Sequence, residues 1–340
     1  MKQVNLHGCN DVRVDDVQPP RCADGDVLIA VEACGICGSD LHYVACGGAL
    51  FSSTIPMALG HEFAGVIADP GGSGLEKGQR VVVNPAHALS YGVIGNGGKQ
   101  GALSEYIVIA RADANAAIIP VSSSLPAELA ALAEPLAVGL HAVNRAEVTS
   151  RQHVAVLGVG CIGMSIIAGL RARGIDDIIA VDVSPMRLEA ARRLDARSVI
   201  HATTENVRER LESLHGKEYA FGMLPAVSTD IYFDTTASAH VLRDTISMAR
   251  RRALIVYVGI YAGDVSLDLM QALHREVDLR AAVAYEDEFA EALQLLGDSM
   301  LEFEAMISHR FPLEQFGTAF GIAKDPRAST KVMITCSQKQ

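Results

Sequence analysis

The feature that most constrains how this 340-residue chain can fold is the run Gly158-Val159-Gly160-Cys161-Ile162-Gly163. It directly follows His153 to Leu157 (HVAVL), an apolar stretch that reads as a buried strand, and it opens a segment of helical periodicity. Glycines at these three positions permit a tight turn, a close backbone approach to a pyrophosphate, and close packing of the helix on the strand. The next strand ends at Asp182, about 20 residues further on, where a carboxylate takes the ribose hydroxyls of a bound dinucleotide. Ser184-Pro185 then supplies a helix N-cap and a first helical residue. A glycine turn in another α/β fold with a surface Asp would share single features. Strand, turn, acid and helix start together favour the dinucleotide, with Cys161 and Ile162 inside the contact turn. Asp182 repels a 2′-phosphate, and Arg187 reads as flanking the adenosine ribose, so NAD is expected over NADP.

The texture on either side of Gln152 differs. Beyond it, Ile178 to Val181, Ser198 to His201, Asp230 to Asp234, Ala253 to Val258 and Leu279 to Val283 alternate with helical segments, and with HVAVL they predict a doubly wound parallel sheet. Before it, short β-branched strands (Asp26 to Ala33, Glu62 to Ala68, Gln79 to Val83) are separated by glycine-rich turns such as Gly71-Gly72-Ser73-Gly74, the pattern of an irregular β-barrel. Leu129, Leu132, Leu136 and Leu140 predict a helix from Pro126 to about Arg145. A further helix (Phe289 to Leu296) and a tail strand, Lys331 to Thr335, close the chain. Tyr219 to Ser228 is a loop more apolar than solvent requires, either a subunit contact or part of a helix–strand crossover.

Composition narrows the function. Hydrophobic residues make up 49% and charged residues 20%, enough apolar material for large cores and too much for disorder. Forty acidic against 29 basic residues give a net charge of −11, which argues against non-specific nucleic-acid binding. No apolar run approaches the ~20 residues that span a bilayer. Seven cysteines, an odd number without framework spacing, predict a reduced, cytoplasmic protein.

Gly35-Ile36-Cys37-Gly38-Ser39-Asp40-Leu41-His42-Tyr43 and Gly60-His61-Glu62 bring together thiolate, imidazole and carboxylate, all ligands that zinc accepts. Cys34 and Cys37 form one CxxC, but no second exists to complete a four-cysteine site. His61 alone would read as a structural histidine.

Four segments, GICGSDLHY (35–43), GHEFAGVI (60–67), AEPLAVGLHA (133–142) and GVGCIG (158–163), occur in an order and spacing that resemble the medium-chain zinc alcohol dehydrogenase superfamily along essentially the whole chain. Glu134-Pro135-Leu136 points to its polyol branch of sorbitol, idonate, butanediol and threonine dehydrogenases. The resemblance implies a GroES-like β-barrel catalytic domain (residues 1–145 and 285–340) and a Rossmann domain (146–284). It implies one catalytic zinc on Cys37, His61 and Glu62, with Glu134 a further ligand or a carboxylate reached through water, and Glu62 also in the catalytic set. Asp40 would orient His61. Ser39 and His42 would relay the substrate proton outward, Lys331 would reach the cofactor pyrophosphate, and the Gly259 backbone would approach the nicotinamide. The implied reaction is NAD-linked oxidation of a secondary alcohol in a polyol, sugar acid or diol, by a homodimer or homotetramer with no nucleic-acid or membrane partner. Many members carry a second, structural zinc on four cysteines. Here Val83 to Gly101 contains none, so that zinc is expected to be missing. A zinc-free quinone or enone reductase of the same superfamily lacks the ligand set. A non-catalytic NAD(H)-binding protein need not keep Ser39 and His42. The substrate walls are expected from Cys46 to Thr54 and Tyr91 to Gln100.

Overall fold

The computed structural model describes residues 1–49, 55–298 and 300–336, so residues 50–54 of the expected substrate loop lie outside the described residues. The C-terminal half is built on a six-stranded parallel sheet with strands in the spatial order Ser198–His201, Ile178–Asp182, Val154–Leu157, Ile231–Asp234, Leu254–Tyr257 and Asp278–Ala281. Every residue of Val154–Leu157 is buried, as a strand covered on both faces by helices must be. The chain reverses its winding direction between Val154–Leu157 and Ile231–Asp234, which opens a crevice at the strands' carboxyl ends.

The N-terminal half is an irregular seven-stranded sheet. Val27–Gly35 lies at its centre, flanked by Glu62–Asp69 and by the returning tail strand Lys331–Thr335, with Tyr106–Ile109 also paired to it. Lys2–Gly8 forms a small second sheet with Asp11–Asp16 and Met57–Ala58. Helix Ala133–Ala146 joins the halves and packs on helix Cys161–Ala172, burying Leu136 and Leu140 in the largest core.

Two expectations need correcting. The helix read from Pro126 to Arg145 breaks at Ala131-Leu132 into Ala127–Ala130 and Ala133–Ala146, which sets Glu134 in the first turn of the second piece. The stretch from Tyr219 to Ser228 lies in the crossover from helix Val207–His215 to strand Ile231–Asp234 but is not an open loop: Lys217–Ala220 and Leu224–Val227 pair as an antiparallel hairpin, turning through Phe221 and Gly222 at positive φ. Tyr219, Phe221 and Met223 are exposed while Ala220, Ala226 and Val227 are buried, so apolar residues on both faces hide the two-residue period in the sequence. Among the described residues no helix is long and apolar enough to cross a membrane.

Candidate active site

Strand register assembles the site. Gly35 stands opposite Glu62 on one side and Met333 on the other. A side chain at position 35 would displace the Glu62 carboxylate, because its Cβ would fall 2.2 Å from Glu62 Oε2. Through that gap Lys331 Nζ donates to both Glu62 oxygens (2.8 and 2.6 Å) and to the Ile36 carbonyl (3.0 Å). Lys331 is only 3% exposed, so this is a fully desolvated ion pair that breaks at high cost. Burial raises the Glu62 carboxyl, but the Lys331 ammonium and His61 outweigh it and hold it below the usual range.

Cys37 caps helix Gly38–Cys46, and its N–H donates to Asp40 Oδ2 (2.9 Å). The other Asp40 oxygen accepts from the Gly60 N–H (3.3 Å). One buried carboxylate therefore ties the backbone at Cys37 to the backbone entering His61. This corrects the expectation for Asp40: it holds the two chain segments, and its effect on the His61 ring is through its charge. The ligand atoms of Cys37, His61 and Glu62 all lie within 4.8 Å of one another. His61 is buried and its Nδ1 has no hydrogen-bond partner. Burial disfavours its charge, but Cys37, Glu134 and Asp40 together raise its pKa well above the ordinary value. A cation is what such a set of one thiol, one orphaned imidazole nitrogen and surrounding carboxylates accommodates, and soft-to-borderline donors in this mix suit zinc. Glu134 is outside the compact trio, and burial pushes its pKa up to about 7.

A cavity of about 780 Å³ runs from Cys37, Glu62 and Lys331 past Gly158, Gly160, Cys161 and Ile162 to Asp182 and Arg187. Gly158 turns at φ +80°, and Gly163 lies so close that a Cβ there would meet the Gly158 carbonyl at 2.0 Å. Thr235 Oγ1 donates to that carbonyl (2.7 Å) and fixes the turn. Asp182 accepts from the Val159 N–H (2.7 Å) and the Ser184 N–H (2.8 Å), so its carboxylate is rigidly placed at the cavity wall. Arg187 Nε donates to the Ser329 carbonyl (2.9 Å), and its guanidinium borders the space beside Gly160. The glycine turn thus leaves the open, amide-lined cradle that a dinucleotide requires.

Lys331 borders this cavity, but its ammonium is committed to Glu62 and the Ile36 carbonyl rather than extended toward a pyrophosphate. Gly259 is not on the cavity wall; a Cβ there would come within 2.5 Å of the Ala237 amide, so close packing explains the glycine. Ser39 Oγ is buried and approaches only the Tyr43 hydroxyl, which itself donates to Asn96 Oδ1 (3.0 Å). His42 is half-buried and contacts Cys46 Sγ (3.7 Å), with no direct bond to Ser39. Sequence reasoning missed the Lys331–Glu62 pair and the Thr235 latch. The one signal for the former was a lysine opening the apolar strand KVMIT.

Family comparison agrees with this geometry. Residues 23–121 match the alcohol dehydrogenase GroES-like domain and residues 161–298 the zinc-binding dehydrogenase domain. A sorbitol dehydrogenase of Bombyx mori is 31% identical, with 97% of each chain covered. The chain belongs to the medium-chain zinc alcohol dehydrogenases. Among solved structures, this dehydrogenase superposes on 2R,3R-butanediol dehydrogenase from Bacillus subtilis with a TM-score of 0.83, 28% identity and 99% of each chain covered. A zinc-binding dehydrogenase from Sinorhizobium meliloti bound to NADP matches at a TM-score of 0.81 and 25% identity, over 98% of each chain. The dehydrogenase is therefore an enzyme of the polyol branch that works with zinc and a nicotinamide dinucleotide.

Proposed function

We propose that this dehydrogenase oxidises a secondary hydroxyl of a small polyol, sugar acid or vicinal diol, using one tightly held zinc per chain and NAD in preference to NADP. The observation that carries the reading is the convergence of Cys37, His61 and Glu62 at one end of the cavity whose other end is lined by Gly158, Gly160 and Asp182. Cys37, His61 and Glu62 hold the metal, and Glu134, set apart and able to carry a proton near neutrality, acts through water. Zinc bound there lowers the pKa of a substrate hydroxyl and polarises the product carbonyl. Ser39, with an unengaged hydroxyl, takes up the substrate's hydroxyl hydrogen bond, and half-buried His42 passes the proton to solvent. Lys331 sets the charge of Glu62, and Arg187 faces the cofactor beside the glycine turn.

Because like charges in contact cost several kcal/mol, Asp182 supports a preference for NAD of at least about tenfold. Changing Asp182 to Ser should narrow it. Free cysteines fit a reducing compartment, the cytoplasm. Exposed Leu269, Leu273 and Val283 beside the open sheet edge at Asp278–Ala281 support a homodimer or homotetramer. The test is NADH production over a panel of sorbitol, idonate and butanediol stereoisomers, with zinc content measured on the same preparation. Activity on at least one is expected, at least about tenfold more efficient with NAD than with NADP; turnover of quinones or enones instead would overturn the reading.

A further inference from the structure

We propose that His153, Asp177 and His215 form a second metal site, for a borderline divalent ion such as zinc, at the edge of the parallel sheet away from the cofactor. His153 immediately precedes strand Val154–Leu157, Asp177 immediately precedes Ile178–Asp182, and His215 ends helix Val207–His215. All three therefore lie at the amino ends of the strands, whereas the glycine turn follows the carboxyl end of Val154–Leu157. His153 Nδ1 is 2.5 Å from Asp177 Oδ2, and His215 Nε2 is 3.5 Å from Asp177 Oδ1. The ligand atoms of all three lie within 4.8 Å of one another.

His215 carries the argument. Its side chain is 0% exposed, its Nδ1 is 2.7 Å from Thr229 Oγ1, and its Nε2 is buried without a hydrogen-bond partner. In the tautomer that donates its Nδ1 proton to Thr229, the Nε2 lone pair faces the Asp177 carboxylate; in the other, Nε2–H points to Asp177 Oδ1 at 3.5 Å. Two acceptors turned toward each other repel, and a cation between them converts the repulsion into ligation. Ligand atoms on a tetrahedral zinc sit ~3.3 Å apart for bonds near 2.0 Å; the His215–Asp177 separation is close to this, whereas His153, 2.5 Å from Asp177 and stacked on His215 with ring centroids 4.9 Å apart, has to turn to ligate. Thr229 supplies the outer hydrogen bond that metal-bound imidazoles use to fix their orientation. His153 and Asp177 are partly exposed, leaving an approach from solvent. Arg197 now pairs with Asp177 Oδ1 (2.5 Å), but it is half-exposed and can swing away. The catalytic cluster has a thiol in place of the second imidazole but shares one arrangement: a buried histidine with one orphaned nitrogen beside a carboxylate held by a basic residue from elsewhere in the chain.

The test uses enzyme dialysed to its tightly held metal and titrated with free Zn(II), with Co(II) as a spectroscopic probe. The wild type should take up one further equivalent, with a rise of several degrees in melting temperature. His153→Gln should lose at least about tenfold in affinity for that equivalent, along with the thermal shift, while turnover is unchanged. Arg197→Gln should bind the added zinc more tightly than the wild type, because the competing guanidinium is gone. No further uptake by the wild type, or uptake indifferent to both substitutions, would overturn the proposal. Retention of alcohol oxidation with no extra uptake would leave the catalytic reading standing while this one fails.

Discussion

The two histidine–carboxylate clusters, Cys37–His61–Glu62 and His153–Asp177–His215, are built from similar parts in different electrostatic settings. In the first, Lys331 is buried and bonded to both Glu62 oxygens, and the ring of His61 is surrounded by thiol and carboxylates that favour its positive form. In the second, the compensating Arg197 is half-exposed, Asp177 opens to solvent, and burial drives His215 to the neutral form. The difference separates a cluster able to hold a metal tightly inside a reaction cavity from one placed to exchange it with solvent at a structural edge. Burial of the counter-cation is the distinguishing variable.

The largest contrast should appear in turnover. On the proposed reading Cys37→Ala removes a metal ligand, and a Lewis acid contributes several kcal/mol of transition-state stabilisation, so kcat/KM should fall by roughly three orders of magnitude or more. Zinc should be lost with it. His153→Gln should do neither, and a matching loss of activity in both variants would erase the distinction between the clusters. Ser39→Ala sharpens it further: turnover should drop on the order of 100-fold with zinc content unchanged, because in the proposed relay the serine hydroxyl handles a proton and not the metal. Normal turnover in that variant at neutral pH would remove the relay.

Stability should distinguish the two counter-cations. Lys331→Met strands a buried Glu62 carboxylate, and breaking a buried pair costs about 3–5 kcal/mol. Arg197→Gln loosens a half-exposed pair, worth about 1 kcal/mol or less. Differential scanning calorimetry of metal-stripped protein should show a much larger fall in melting temperature for Lys331→Met. Equal shifts would mean that burial does not set the difference.

Acid gives the subtlest test. His215 has a folded pKa of about 4 against an ordinary 6.5, so the unfolded chain binds its proton first. The stability that depends on neutral His215 is present above pH 6.5 and is lost as pH falls toward 4, on the order of 3 kcal/mol at most at ~1.36 kcal/mol per pKa unit. His61 has the opposite sign in metal-stripped protein. Its raised pKa makes its contribution complete below pH 6.5 and lost as pH rises through the folded value. Urea midpoints between pH 7 and 4.5 should show His215→Gln with a flatter acid limb than the wild type; an unchanged slope would contradict the assignment.

Much of this was legible in the sequence because it is local. The strand, glycine turn and helix around Gly158–Gly163, the acid at Asp182 and the Ser184 cap each follow from a few consecutive residues whose periodicity or hydrogen bonding identifies them. Cys37 and the His61-Glu62 pair were visible as donor types in recognisable motifs. What could not be read depends on register between distant strands. Lys331 meets Glu62 across 269 residues only because Gly35 lies between their strands, and Asp40 binds the Gly60 amide across 20 residues rather than the adjacent ring. His153, Asp177 and His215 each look like an ordinary polar residue flanking an apolar element, and only the parallel sheet order brings their starting edges together.

Zinc content measured alongside NADH formation, in wild type and Cys37→Ala purified without added metal, tests the central claim most directly. One tightly held zinc per wild-type chain with alcohol-dependent NADH production is expected, and neither zinc nor activity in the variant. Active wild-type enzyme free of zinc, or a Cys37→Ala protein that keeps both its metal and its turnover, would contradict it.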